Sequence, residues 1–369
     1  MLLLGLFGLV LVGAAAAQGE GRGFQLDDLL GGGSAGFARA LAPRPFHFPE
    51  DHGPHPDYRS EWWYFTGNLT SEAGRQFGYQ LTFFRFALRP DAPVRTSAWA
   101  TNQVYMAHFT LTDVDGHRFH AAERMSRDSL ALAGACAEPF AVWLRDWRLE
   151  SGGTAFFPLK LHAADGAVSL DLTIGGGKPW VLQGDHGLSR KGAAPGNASY
   201  YYSGTRLEST GTVTVGGEPF AVSGSSWFDR EWGSSTLGAD QVGWDWFSLQ
   251  LDDGRDLMVY RLRRRDGSAD PHSAGMLVDA EGNGTPLPTA AVALEVLDRW
   301  RSPRTGVTYP ARWRIEVPET KLSLEVVPRL ADQELDESVR YWEGAVKVSG
   351  TRHGEPVTGV GYVELTGYR

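Results

Sequence analysis

The sequence is poor in cysteine and in basic residues. Its one cysteine, Cys136, has no partner for an internal disulfide and cannot supply a cysteine-based zinc site. Lysine and arginine total 35 against 44 aspartates and glutamates, which gives a formal net charge of −9. Such a balance excludes a surface built to neutralise phosphates, so we expect no nucleic acid partner. The fold must be stabilised by packing alone.

The longest apolar run stands at the amino terminus and is too short for a membrane span. Residues 1–17 carry no charged side chain and end in four alanines before Gln18. This pattern is typical of a secretory signal peptide, and it falls short of the ~20 apolar residues that cross a bilayer. We predict a signal peptide over residues 1–17, a periplasmic or secreted protein, and a Gly/Ala-rich linker or short helix over residues 18–44.

Helical periodicity is scarce beyond residue 45. There the chain alternates apolar and polar residues in short runs, separated by Asp-Gly or Glu-Gly pairs that begin at Asp115, Asp165, Asp253 and Glu281. This pattern is typical of antiparallel strands joined by tight turns. The charged segment 332–340, free of Gly and Pro, is the best short-helix candidate.

The sequence also repeats itself. Residues 62–81 parallel residues 244–262 in an aromatic opening, a Gly-Arg turn and a Tyr-x-Leu strand. Further matches keep the same order. They include Tyr-Tyr-Ser-Gly at 201–204 with Tyr-Trp-Glu-Gly at 341–344, and Trp-Phe-Asp at 227–229 with Tyr-Val-Glu at 362–364. Each half therefore opens on an aromatic strand and closes on an aromatic-x-carboxylate strand.

The repeat predicts an all-β fold of two tandem antiparallel β-barrels. In each barrel the first and last strands would pair, which leaves no exposed edge. We place the first barrel at residues 45–235 and the second at 236–369. A pair of β-sandwiches is the structural alternative, and a barrel of about eight strands has room for one small apolar ligand.

Six of the thirteen tryptophans fall in three short segments that also contain carboxylates, residues 61–64, 227–233 and 244–246. Strand alternation puts Trp227 and Asp229 on one face and Arg230 on the other. A carboxyl facing an aromatic barrel interior would be desolvated, which raises its pKa and suits it to act as a general acid. Asp229 is therefore the candidate catalytic residue, with a structural ion pair as an equal alternative.

The other charged residues and the histidines have structural as well as functional interpretations. For Arg230 and Glu231 a buried ion pair is the favoured interpretation. His52 and His55, in a turn-rich segment, match no zinc pattern and are interpreted as solvated loop residues, so no metal site is expected. His108 is either a satisfied core histidine or a polar group of a pocket. The candidate ligand-binding residues are Glu61, Trp62, Trp63, Tyr64, His108, Tyr200, Tyr202, Trp227, Trp232, Trp244 and Trp246.

Four strings resemble a known family: EWWYFTGNL at 61–69, GLSRKG at 187–192, SYYYSGTRL at 199–207 and WFDREWG at 227–233. They are similar to the secreted AttH-like proteins of the carotenoid 1,2-hydratase (hydroxyneurosporene synthase) superfamily. The resemblance implies two lipocalin-like barrels. For the hydratase branch it implies an acid at Asp229 that protonates a double bond before water adds, with no cofactor. This sequence has Arg-Glu after the aspartate where the hydratase pattern has His-Asn.

Three functions follow from these observations. The first is an exported lipocalin-like protein that binds an apolar, isoprenoid or lipid-like molecule and acts as a carotenoid 1,2-hydratase-like hydro-lyase or an isomerase through Asp229. The second is a non-enzymatic accessory that carries lipid-like cargo for an ABC transporter of the cell envelope, because the resemblance is to proteins associated with such transporters. The third and weakest is carbohydrate binding on tryptophan faces.

Overall fold

The structure is a computed structural model that describes residues 24–25, 33–91, 97–234 and 237–369. The predicted signal peptide, residues 1–17, lies outside the described residues. Those that are described form 24 β-strands, three short 3₁₀ turns (Glu50–His52, Thr289–Ala291 and Pro318–Thr320) and no α-helix. None of their helices is long and apolar enough to cross a membrane. The first strand, β1, is short (Phe24–Gln25).

The first barrel is an antiparallel sheet of thirteen strands. They are β2 (Ser60–Ser71), β3 (Gln76–Ala87), β4 (Gln103–Asp113), β5 (Arg118–Arg127), β6 (Ala133–Ala137), β7 (Phe140–Leu144), β8 (Trp147–Ser151), β9 (Leu159–Asp165), β10 (Val168–Gly177), β11 (Val181–Leu182), β12 (Leu188–Arg190), β13 (Ala198–Val215) and β14 (Glu218–Gly233). Their order is β5-β4-β3-β2-β14-β13-β10-β9-β8-β7-β6, with β11 and β12 paired to β13. The opening strand β2 therefore pairs with the closing strand β14, as the repeat predicts.

The second barrel follows the same plan. Its strands are β15 (Gln241–Leu251), β16 (Asp256–Arg264), β17 (Ala274–Val278), β18 (Gly284–Pro288), β19 (Ala293–Arg301), β20 (Thr308–Val317), β21 (Leu322–Pro328), β22 (Glu334–Asp336), β23 (Val339–Arg352) and β24 (Glu355–Leu365). Their order is β18-β17-β16-β15-β24-β23-β21-β20-β19; β22 and, in parallel, β1 pair with β23. Again the opening strand, β15, pairs with the closing strand, β24.

Strand register supports the duplication residue by residue. In the first barrel Asp229 on β14 lies opposite Tyr64 on β2. In the second barrel Glu364 on β24 lies opposite Trp246 on β15. The sequence repeat equates these same positions, and the predicted all-β fold of two tandem lipocalin-like barrels is confirmed.

The predicted tight turns join neighbouring strands. Each of the four Asp-Gly or Glu-Gly pairs stands where one strand turns into the next: β4 and β5, β9 and β10, β15 and β16, and β17 and β18. Asp165 is itself the last residue of β9. At Gly254 and Gly282 the φ angles are 84° and 95°, a backbone region that glycine enters without steric cost. These turns fix the antiparallel order that brings the opening and closing strands together.

Strand alternation gives each opening and closing strand two different buried faces. One face packs inside its own barrel: Trp63, Phe65 and Phe228 lie in the first core, and Phe247 and Val363 in the second. The other face meets the opposite barrel. There a third apolar cluster forms between the barrels, with members Tyr64, Tyr201, Trp227, Trp246, Tyr260 and Tyr362.

The helix predicted at residues 332–340 is wrong. Residues Glu334–Asp336 form β22, which pairs with β23. Glu334 is fully buried because its carboxylate accepts hydrogen bonds from the hydroxyls of Ser302, Thr305 and Tyr309. These long-range contacts outweigh local helix propensity. The described part of residues 18–44 contains the strand β1 and no helix.

Candidate functional site

A cavity lies between the two barrels, against the outward faces of their opening and closing strands. It contains about 940 Å³ of space free of protein atoms, including the part that opens to solvent. From the first barrel it is lined by Trp62, Tyr64, Lys191, Tyr201, Asp229 and Glu231. From the second it is lined by Trp244, Trp246, Tyr260, Leu262, Tyr341 and Glu364. Such a lining, mostly aromatic with a few convergent polar groups, is typical of small-molecule sites.

Asp229 is the most enclosed carboxyl of this cavity, with 4% of its surface exposed. Its carboxylate accepts hydrogen bonds from the Tyr201 hydroxyl (2.6 Å), the Ser203 hydroxyl (2.5 Å) and the Trp227 indole N–H (2.7 Å). Burial raises its pKa from 3.8 to about 7, although these three donors lower it. A group that titrates near neutral pH can both give and take a proton.

Glu364 and Glu231 bring two more carboxyls to the cavity. The Trp244 indole N–H donates to Glu364 at 3.0 Å, and burial raises the pKa of Glu364 to about 8. Glu231 differs because it is paired: it accepts a hydrogen bond from the Ser199 hydroxyl, and the Lys191 Nζ lies 3.2 Å away. Among the described residues neither Asp229 nor Glu364 has a salt-bridge partner.

The structure divides the predicted ligand-binding residues by strand face. Trp62, Tyr64, Trp244 and Trp246 line the cavity together with Asp229. Trp227 lies beside them, and its indole N–H donates a hydrogen bond to the Asp229 carboxylate. The others on these strands alternate away from the cavity and pack inside the first barrel; they are Glu61, Trp63, Tyr200, Tyr202 and Trp232.

The expectation that Asp229 faces a barrel interior is wrong. The interior of the first barrel is filled by packed aromatic side chains such as Phe65 and Phe228, whose rings stack with centroids 4.4 Å apart. Phe228 points inward, so its neighbour Asp229 must point outward, toward the second barrel. The desolvation that the sequence predicts for this carboxyl is supplied by the interface between the barrels.

The predicted ion pair next to Asp229 has different partners from those expected. Arg230 faces the first barrel, where it pairs with Glu61 and lies over the Trp63 ring at 4.0 Å. Glu61 also pairs with Arg85, and all three side chains are buried. Although burial alone would raise it, the guanidinium groups of Arg85 and Arg230 hold the pKa of Glu61 well below its usual range. Arg230 therefore does not compete for the Asp229 carboxylate.

The three candidate histidines are buried or packed. His52 stacks on Phe156 at 3.6 Å, so the expectation of a solvated loop histidine is wrong, and burial lowers its pKa to about 3. His55 stacks on the Trp232 ring at 3.8 Å. Among the described residues no group of three His, Cys, Asp or Glu side chains is arranged to hold a metal ion.

His108 does not line the cavity itself but contacts a residue that does. It is fully buried, and its Nδ1 lies 2.7 Å from the hydroxyl of Tyr341, which lines the cavity. Its Nε2 lies 3.0 Å from a Glu123 carboxylate oxygen. This arrangement fixes the Tyr341 hydroxyl in position.

Sequence reasoning missed several lining residues, above all Glu364, Tyr341, Tyr201 and Lys191. A signal for two of them was present, because the repeat equates Glu364 with Asp229 and Tyr341 with Tyr201. If one copy of a duplicated strand carries a functional carboxyl, its counterpart should be tested for the same role.

Comparisons with known proteins show the family and the fold of this chain. A family model described as AttH-like matches residues 39–368. The crystal structure of a Nitrosomonas europaea protein described as an AttH is 34% identical, with a TM-score of 0.79, and covers 90% of this chain and 100% of that chain. Kievitone hydratase from Nectria haematococca shares the fold, with 17% identity, a TM-score of 0.70 and coverage of 90% and 96%. No curated protein gave a significant sequence match. This chain belongs to the AttH-like family.

Proposed function

We propose that this protein binds an apolar alkene, of the isoprenoid or lipid class, between its two barrels and adds water to it by proton transfer from Asp229. One observation carries the proposal: a carboxyl that forms no salt bridge among the described residues lies in a mostly aromatic cavity, where burial raises its pKa to about 7. Most aspartates titrate three units lower and are fully ionised at that pH.

The cavity provides what alkene hydration needs. The Asp229 O–H bond breaks as a new C–H bond forms, and the positive charge left on the neighbouring carbon lies among the faces of Trp62, Tyr64 and Trp246, which stabilise cations. Water then forms the C–O bond and loses a proton. The donors from Tyr201, Ser203 and Trp227 stabilise the carboxylate that remains after Asp229 gives up its proton.

The fold likeness to kievitone hydratase is compatible with this reaction, but a shared fold does not choose a chemistry. The cavity, with its carboxyls and aromatic rings, supports water addition. Export, predicted from residues 1–17, would place the protein among the lipids of the cell envelope.

The proposal is tested by incubating the protein with geraniol, farnesol, squalene and lycopene in water enriched in the heavy oxygen isotope. We expect at least one of them to gain one labelled water, detected by mass spectrometry. Binding is measured separately by quenching of tryptophan fluorescence.

The cavity tryptophans make the binding assay specific. Trp246→Leu should weaken binding about tenfold, because an aromatic contact contributes ~1.5 kcal/mol. Trp143→Leu, on β7 and outside the cavity lining, should leave binding unchanged. Binding without labelled product would favour the carrier function, and absence of both would refute the proposal.

A further inference from the structure

The duplicate of Asp229 in the second barrel is itself a carboxyl, Glu364. The two residues occupy the same position on the closing strands β14 and β24, and their cross-strand partners, Tyr64 and Trp246, are also equivalent in the repeat. The barrels pack so that both carboxyls line one cavity, one carboxyl from each barrel. Each accepts a hydrogen bond from a tryptophan indole N–H, Trp227 or Trp244.

The two carboxyls differ in the number of hydrogen-bond donors that contact them. Three donors stabilise the Asp229 carboxylate, whereas one side-chain donor contacts Glu364. Where the first barrel places Ser203 opposite Asp229, the second places Glu343 opposite Glu364. The anion of Glu364 is therefore the less stabilised of the two and the stronger base.

Glu343 is a fully buried acid behind the cavity wall. Its Oε1 accepts a hydrogen bond from the Tyr64 hydroxyl at 2.7 Å, and its Oε2 has no partner among the described residues. Burial and the neighbouring Glu364 raise the pKa of Glu343 well above its usual range. Because Glu343 is itself an acid, it brings Glu364 no cation that would keep it ionised.

We propose that Glu364 is a second catalytic residue, which removes the proton from the attacking water while Asp229 protonates the alkene carbon. The proposal rests on the proposed function. The alkene takes H⁺ from Asp229 and OH⁻ from water, and the second water proton goes to Glu364. The site then holds an ionised Asp229 and a protonated Glu364, and transfer of that proton to Asp229 restores the reactive form. That form is the minor of the two singly protonated forms, because Glu364 is the stronger base.

Infrared difference spectroscopy tests the proton chemistry without a substrate. Protonated carboxyls give a C=O band distinct from that of carboxylates, and we expect two such bands to disappear as pH rises, near 7 and near 8. Other titratable groups around Glu364 are Glu343, Glu231, Tyr64 and Tyr341. Glu364→Gln should remove the upper band. Asp229→Asn should remove the lower band and shift the remaining midpoint downward, because the Asp229 charge raises the pKa of Glu364.

Kinetics test the catalytic role with whichever of the four isoprenoids is hydrated. The rate requires protonated Asp229 and ionised Glu364, so the wild type should be fastest between about pH 7 and 8 and slower on both sides. Glu364→Gln should lower kcat on the order of 10²-fold and abolish the loss of rate at low pH. Glu316→Gln, an exposed carboxyl on β20, is the matched control and should change neither property.

The outcomes separate this inference from the proposed function. If none of the isoprenoids is hydrated, the proposed function fails, and the infrared titration still decides whether Glu364 exchanges a proton in this range. An upper band that persists in Glu364→Gln overturns the inference. The inference is also overturned if Glu364→Gln keeps the wild-type rate and still loses rate at low pH as the wild type does.

Discussion

Replacing Asp229 with asparagine should reduce hydration of the responsive isoprenoid by about 10³-fold, within the range that a positioned general acid contributes. The amide has the shape of the carboxyl, so the hydrogen bonds from Ser203 and Trp227 can persist, but it has no proton to give. Binding measured by tryptophan quenching should stay within twofold of wild type. Unchanged turnover would remove Asp229 from the mechanism and leave it a structural role.

The same variant has a signature in stability that needs no substrate. Asp229 has a folded-state pKa of about 7, above its unfolded value of 3.8. The stability linked to this group is fully present below pH 3.8 and is lost as pH rises through 7. Asp229→Asn should therefore become more stable relative to wild type as pH increases from 4 to 7 in urea unfolding. A constant difference across that window would show that the aspartate is ionised throughout.

Replacing Glu61 with glutamine should destabilise the first barrel by about 3–5 kcal/mol. The substitution preserves side-chain volume but leaves the buried guanidinium groups of Arg85 and Arg230 without their carboxylate, and an unpaired buried charge is costly. Urea unfolding at pH 7 measures the effect. Since the pKa of Glu61 lies well below its usual range, its contribution should be present above pH 4.5 and fall in acid.

The control for this prediction is Glu325→Gln. Glu325 pairs with Arg312 on the surface of the second barrel, and an exposed pair contributes at most about 1 kcal/mol. If Glu61→Gln folds with wild-type stability yet loses ligand binding, Glu61 belongs to the binding site as the sequence predicted. Its position inside the first barrel argues for the structural role.

The sequence could predict the architecture because the turn signals are short motifs that can be read locally. The repeat also shows which strands of the two halves are equivalent. Alternation correctly separates Trp227 and Asp229 from Arg230. What alternation cannot tell is which face of a strand lies inside a barrel. Trp62 and Trp63 look alike in sequence, yet Trp62 lines the cavity and Trp63 packs in a core. That choice depends on how the second barrel docks, which is a long-range property.

Charge misled the sequence interpretation in a related way. The sequence predicts a short helix around Glu334, in a charged segment free of Gly and Pro, and a solvated loop at His52. Both are buried, since each finds hydrogen-bond or aromatic partners far away along the chain. Partners at such separations leave no trace in local composition.

The cavity lies between two duplicated barrels of one chain, so its two walls need not be identical. Two identical barrels meeting as a dimer would face each other with identical carboxyls, and equal groups would have equal proton affinities. Joining both copies in one chain lets each wall change independently, as the Ser203 and Glu343 positions have done. A fused pair can thus fix which wall donates the proton and which accepts it, whereas in a symmetric dimer either copy could take either role.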